Sequence, residues 1–162
     1  MTPERRIEEL GLALPEFGGT GYYGGNFGTM KPFHIEGTVL HLSGHVPWNP
    51  EGGLLYPGRL GSAVTIPQGY EAARLTALNA LAGARHALGS LSRIRSVIKS
   101  LNFVACEPDF TDIHKVSSGL SDLLVEVFGE EIGLGGRATI GVQTLADNIC
   151  FETWIQFSIR DS

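Results

Sequence analysis

One arginine and one glutamate late in the chain have the types needed to handle a small anion. Arg137 stands in GGRATIGVQTL (135–145), behind two glycines and ahead of a run of small and apolar residues. Glu152 follows in ICFETWIQFSI (149–159). A guanidinium offers a carboxylate two parallel hydrogen bonds that lysine cannot copy. A glutamate nearby can hold or activate a water. The plainer alternative is that Arg137 and Glu152 form a surface or interface ion pair, which is common and weakly stabilising.

Strand alternation is what would place the two groups. Ile149, Phe151, Ile155, Phe157 and Ile159 mark the odd positions of the last strand as core, which leaves Glu152, Trp154 and Gln156 on the other face. In the preceding strand Ala138, Ile140 and Val142 mark the even positions as core and leave Arg137, Thr139, Gly141 and Gln143 opposite. A hairpin through Ala146–Asp147 would set Gly141 across from Glu152 and Arg137 across from Gln156. Arg137, Thr139, Glu152 and Trp154 are then expected on one non-core face, lining a subunit interface, a ligand pocket, or a pocket built at an interface.

The remaining elements must hold that face. PERRIEELGLALP (3–15) predicts a short amphipathic helix with Ile7, Leu10 and Leu14 on one side. A glycine- and aromatic-rich loop from Glu16 leads into a strand expected at 22–30. FHIEGTVLHLSGHVP (33–47) predicts a hairpin turning at Glu36–Gly37, and WNPEGGLLYPGRLG a loop. Thr65 and Gln68 form a capping-box pattern ahead of a helix with the stripe Tyr70, Ala73, Ala77, Leu81, Ala84 and Leu88, stopped by Gly89. A strand at 93–106 precedes a second helix carrying Ile113, Val116, Leu120, Leu124 and Val127, ended by Gly129. The order ββαβαββ implies an α+β domain with helices on one face of a mixed sheet.

Composition narrows the function classes. The chain has 162 residues, 43% hydrophobic and 18% charged, enough for one domain with a real core. Twelve Lys and Arg against 17 Asp and Glu give a net charge of −5, and no basic run occurs. Such a chain is a poor candidate for nucleic acid, whose binding draws on Lys and Arg at phosphates. No apolar run approaches the ~20 residues that span a bilayer, and the charged N-terminus has no signal-like apolar segment. The expectation is a soluble cytoplasmic protein, with Cys106 and Cys150 as buried reduced thiols.

Other chemistry fits less well. His41 and His45 share a strand face but stand about 13 Å apart at ~3.3 Å per residue, too far to share a metal ion. His34 and His114 lack partners by spacing, and His86 falls at the solvated edge of a helix. No metal is expected. Ser43 and His45 alternate favourably for a hydrolase but lack an orienting acid and a nucleophile elbow. GGTGYYGGNFG (18–28) lacks the GK[ST] ending of a phosphate loop and has no helix directly after it.

The ordered set EAARLTALNAL (71–81), LGSLSRIRSVIKSLNFV, PDF, a glycine-arginine strand and a closing strand with glutamate resembles the YjgF/RidA family over nearly the whole chain. RIEELGLALP and SGLSDLLVEVFGE are similar to a longer branch of it. The resemblance implies one RidA-like domain over 1–162, with 1–20 as an N-terminal extension. It also implies a chorismate-mutase-like (bacillus-type) α+β fold, with two main helices on one face of a mixed sheet. Members are typically homotrimers whose sheets line the interior and whose clefts lie between subunits. Many hydrolyse reactive 2-imino or 2-enamino acids to 2-keto acids and ammonia, with no metal or organic cofactor.

Carried over by position, Arg137 matches the carboxylate-binding arginine and Thr139 the neighbour whose backbone helps hold substrate. Glu152 matches the water-associated glutamate, Ser43 the serine after the third strand, and Tyr22 or Tyr23 the aromatic near the N-terminal strand. The expected partners are a small carboxylate-bearing substrate and further copies of the chain, with no nucleic acid and no membrane. Two departures stand out: Gly135–Gly136, where active members usually carry an alanine directly before the arginine, and Leu145–Ala146 in place of Leu-Pro. A non-catalytic or regulatory trimer binding small carboxylates in the same clefts is the alternative, and a ribonuclease-like activity a weaker third.

Overall fold

The computed structural model describes residues 1–16 and 28–161. Seven strands and four helices follow in the order α1 (Pro3–Glu9), β1 (Phe33–Glu36), β2 (Val39–Leu42), β3 (Trp48–Asn49), β4 (Gly53–Leu54), α2 (Ile66–Leu88), β5 (Ile94–Ala105), α3 (Ile113–Phe128), α4 (Glu130–Gly133), β6 (Gly136–Val142) and β7 (Phe151–Ile159). The ββαβαββ reading holds for the main elements. The small β3–β4 hairpin lies inside the segment expected as loop, and α4 was not expected. Tyr22, Tyr23 and most of the strand expected at 22–30 lie outside the described residues, and Gly28 to Met30 form no strand.

Local chemistry sets the helix ends. The Thr65 hydroxyl accepts from the Gln68 amide at 3.3 Å while the Gln68 side chain accepts from the Thr65 amide at 2.9 Å, the reciprocal box expected from the sequence. Gly89 closes α2 in the left-handed region at φ 80°. The first helix is shorter than expected, ending at Glu9 with Gly11 just beyond at φ 72°.

One sheet, ordered β1-β2-β7-β5-β6, forms the body of the fold. Every neighbouring pair is antiparallel except β5 with β6, which run parallel. Helices α2 and α3 cover one face. Their crossing is close because Gly119 has no side chain: a Cβ there would stand 2.1 Å from the Tyr70 carbonyl oxygen. Arg74 spans the pair with two bonds to Glu126, of 2.9 and 2.8 Å.

The core lies between these helices and the sheet, with Leu40, Leu81, Leu120, Leu124, Phe151 and Phe157 fully buried. Each such side chain contributes roughly 1.5–3 kcal/mol, against ~0–1 kcal/mol for an exposed ion pair such as Arg5–Glu9. Apolar burial therefore decides the fold. Cys106 and Cys150 are buried and unpaired with each other. No helix among the described residues is long and apolar enough to cross a membrane.

The face away from the helices is apolar too. It carries Leu101 and Phe103 from β5, Trp154 from β7 and Ile140 from β6, with Ile140 and Trp154 about half exposed (46% and 52%). An uncovered sheet face of this composition marks an interaction surface.

Candidate active site

Glu152 sits on that open face, between Phe103 of β5 and the end of β2. A β-bulge makes room for it. His41 lies opposite Gln156 but His45 lies opposite Thr153, so the Ser43–Gly44 side carries one extra residue. Gly44 then faces the carboxylate at a distance no side chain could tolerate comfortably: a Cβ there would lie 3.0 Å from Glu152 Oε2 and 3.3 Å from Trp154 Nε1. The Trp154 indole N–H donates to Glu152 Oε2 at 2.7 Å. Burial raises the Glu152 pKa above its ordinary value, and the Trp154 hydrogen bond opposes that rise.

A cavity of about 590 Å³ opens beside this carboxylate; Met30, Ser43, Leu101 and Trp154 line it with Glu152, and so do the polar side chains His41, Lys99 and Gln156. Ser43 therefore shares the Glu152 cavity. Its hydroxyl donates to the Lys31 carbonyl and its amide to Pro32 O at 3.0 Å, which ties the segment before β1 to the site.

Arg137 and Thr139 lie elsewhere, and this corrects the expected hairpin. Strand β5 intervenes between β6 and β7, and the β6 residues pair in parallel register with β5: Arg137 with Ser100, Thr139 with Asn102. Ser100 and Asn102 are buried beneath the helices, so Arg137 and Thr139 point to the helix side. The Arg137 guanidinium reaches α3, donating to Ser121 Oγ at 3.1 Å and to Ser118 Oγ at 3.5 Å. Thr139 Oγ1 donates to Ser117 Oγ at 2.7 Å. The apolar residues Ala138, Ile140 and Val142 take the open face instead.

The inversion has a simple physical cause. Both faces of this sheet are apolar, so an apolar alternation shows that β6 has two sides without showing which one meets the helices. Within one chain, then, Ser43, Glu152 and Trp154 come together, Arg137 and Thr139 come together, and the two groups occupy opposite faces. Among the described residues Arg137 has no carboxylate within ion-pair distance.

The bulge also corrects two histidine readings. His45 faces the helices with Thr153, away from both Ser43 and His41, so neither the shared His41–His45 face nor the favourable Ser43–His45 alternation exists. His45 is fully buried; burial lowers its pKa to about 4, and a 2.8 Å contact from Nδ1 to the Ser43 carbonyl opposes that only in part. His34 is paired across β1–β2 with His41 and contacts Glu36 at 3.2 Å.

Several contributing residues were not singled out from the sequence. Ser118 and Ser121 sit one turn apart on α3, and their spacing is a visible signal once Arg137 is known to face that helix. Gly44 needed the bulge, which has no signature here beyond a glycine in SGH. Gly135 packs against β5, where a Cβ would come within 2.5 Å of Val97 Cγ1 and 2.8 Å of the Val97 carbonyl oxygen. The glycine before the arginine strand is thus a packing requirement of the β5–β6 junction.

A family model described as "YjgF/chorismate mutase-like, putative endoribonuclease" matches residues 4–148. Protein TCP17 of Trypanosoma cruzi is 37% identical over 141 residues, which cover 86% of this chain and 82% of that protein. A crystal structure from Shewanella oneidensis with the same endoribonuclease description is 33% identical with a TM-score of 0.89, covering 98% of this chain and all of that one. Escherichia coli TdcF, solved with bound serine, shares the fold at 19% identity and a TM-score of 0.57, covering 83% of this chain and 90% of its own. The match over most of the chain, joined to the mixed sheet with its two covering helices, places this protein in the YjgF/RidA family.

Proposed function

We propose that the protein is a metal-free hydrolase that converts reactive 2-imino or 2-enamino acids to 2-keto acids and ammonia. The observation that carries the reading is Arg137: an exposed guanidinium held by two neutral hydroxyls and given no carboxylate among the described residues. Serine hydroxyls orient the fork without neutralising it, so its charge remains available to a substrate carboxylate. The serine-bound state of TdcF is in keeping with a fold that accepts small carboxylates.

Glu152 cannot meet that substrate from within the same chain, because it faces the other side of the sheet. The reading therefore requires copies of the chain, with Arg137 and Thr139 from one and Glu152 and Ser43 from its neighbour. The apolar open face is the surface that a homotrimer would cover.

The chemistry follows from the positions. Arg137 anchors the carboxylate, and Glu152 takes a proton from a water as its oxygen bonds to the imine carbon. Glu152 passes that proton to the nitrogen as the C=N electron pair moves onto it, which gives the carbinolamine and restores the carboxylate. Glu152 then takes the carbinolamine hydroxyl proton and delivers it to the nitrogen as the C–N bond breaks, so the carbonyl forms and ammonia leaves. Imines hydrolyse unaided in water, so positioning and charge suffice.

The test generates 2-iminopropionate or 2-iminobutyrate in situ and follows keto-acid release. Acceleration by wild type that is lost in Arg137→Ala supports the enzyme. Binding of 2-ketobutyrate without any acceleration would instead assign the chain to ligand binding alone.

A further inference from the structure

Trp154 stands beside Glu152 in a way that the carboxylate's proposed task does not by itself require. The two are alternate residues on β7, on the same face, and the indole N–H is directed at Oε2 at 2.7 Å. Phe103 on β5 packs against the indole, ring centroids 5.1 Å apart and tilted by 60°, and Leu101 is the cross-strand neighbour of Trp154. From the other side Gly44 closes on the same oxygen, where even a methyl would come to 3.0 Å. One carboxylate oxygen is thus held by a donor and walled by backbone. The other, Oε1, makes no hydrogen bond among the described residues, while Glu152 borders the cavity.

We propose that Trp154 is a positioning residue, which together with Gly44 fixes Glu152 through Oε2 so that Oε1 alone meets the attacking water. This rests on the reading of Glu152 as the water-activating group. A carboxylate free to rotate would present either oxygen in many orientations, whereas one pinned through a single oxygen holds the other in a fixed direction. The indole suits the task because it is a donor only, and so favours the ionised carboxylate without competing for the proton. It offsets part of the burial that disfavours the charged form. The other titratable side chains lining the cavity with Glu152 are Lys99 of β5 and His41 of β2, and Trp154→Phe leaves both in place.

Trp154→Phe keeps an aromatic ring against Phe103 while removing the N–H together with part of the ring. Two readouts are needed: the Glu152 side-chain carboxyl titration by carbon NMR, assigned through Glu152→Gln, and the pH profile of imine hydrolysis. The carboxyl should titrate at higher pH in Trp154→Phe than in wild type, and the acid limb of kcat/KM should move with it. At neutral pH kcat should fall about tenfold, the scale of one hydrogen bond to a charged group, with KM unchanged. Gly44→Ala should also lower kcat, by displacing Oε2. An unmoved Glu152 titration in a folded Trp154→Phe overturns the proposal. The NMR readout does not depend on turnover: a moved titration in a protein that never accelerates imine decay would leave the clamp standing and remove the deaminase reading.

Discussion

Arg137 and Glu152 occupy opposite faces of one sheet. Arg137 follows Ser100 in register toward α3, whereas Glu152 lies beside Phe103 on the open face. A ligand touching both within one chain would have to cross the sheet or round its β6 edge. If the pair acts on one substrate, two chains must supply it, and that is a geometric statement with a direct consequence.

Two inactive variants should then rescue each other. Arg137→Ala chains retain Glu152, and Glu152→Gln chains retain Arg137, so a mixed oligomer contains some clefts with both groups intact. Random reassembly after mild denaturation should restore about one quarter of the wild-type sites, as expected for a cleft shared by two chains of a closed oligomer. No recovery on mixing, with mixed oligomers shown to form, would place the site within one chain.

The guanidinium fork matters beyond its charge. Arg137→Lys keeps the positive group but loses the paired geometry and the bonds to Ser118 and Ser121. The Ki of a competing 2-keto acid should rise about tenfold or more, since one charge-assisted hydrogen bond contributes about 1.5–3 kcal/mol. Calorimetric titration with 2-ketobutyrate would measure it directly.

Glu152 should cost stability at neutral pH. Its folded pKa lies above the ordinary 4.5, so between those values the folded chain holds a proton that the unfolded chain has released. Stability therefore falls as pH rises through the folded pKa. Glu152→Gln should melt higher than wild type at pH 7, and the difference should shrink as pH falls through the folded pKa towards 4.5. Equal melting temperatures at every pH would show that burial is not what shifts this carboxyl.

The sequence was most legible where local chemistry decides the outcome. Thr65, Gln68 and Gly89 bound α2 because caps and left-handed glycines act within a few residues. The parity of β7 could be read because Phe151, Phe157 and Ile159 are large and have only one place to go. The parity of β6 could not, because Ala138, Ile140 and Val142 are apolar toward an open face that a partner can cover. The hairpin expected between β6 and β7 failed for a related reason. A short connection suggests pairing, yet β5 offered β6 a parallel edge and took the place between them. The Ser43–Gly44 bulge reversed His45 for a reason no alternation rule contains, since one extra residue changes every face beyond it.

His45 contributes to stability in the opposite sense to Glu152. It is neutral in the folded chain, with a pKa lowered from 6.5 to about 4 by burial. As pH falls below 6.5 the unfolded chain takes up a proton that the folded chain refuses, so stability is lost progressively down to about pH 4. His45→Gln, which keeps an amide donor for the Ser43 carbonyl, should flatten this slope. Comparing urea midpoints of the two proteins at each pH cancels the Glu152 contribution, and parallel curves would refute the assignment.

Gly135 and Gly136, adjacent in sequence, should respond very differently to the same substitution. A methyl at Gly135 would meet Val97 Cγ1 at 2.5 Å and the Val97 carbonyl oxygen at 2.8 Å, and the backbone atom cannot yield by rotating a side chain. A methyl at Gly136 meets nothing closer than the Ile98 carbonyl oxygen at 3.4 Å, an ordinary contact. Gly135→Ala should cost about 1–3 kcal/mol, as overpacking does. By pushing the start of β6 off β5, it should also draw Arg137 away from Ser121 and weaken 2-keto acid binding. Gly136→Ala should stay within about 1 kcal/mol of wild type and bind normally, because its extended backbone accepts a side chain. Thermal melts and ligand titrations of the two variants, measured side by side, decide it: equal losses would mean that the close approach to Val97 does not hold Arg137 in place.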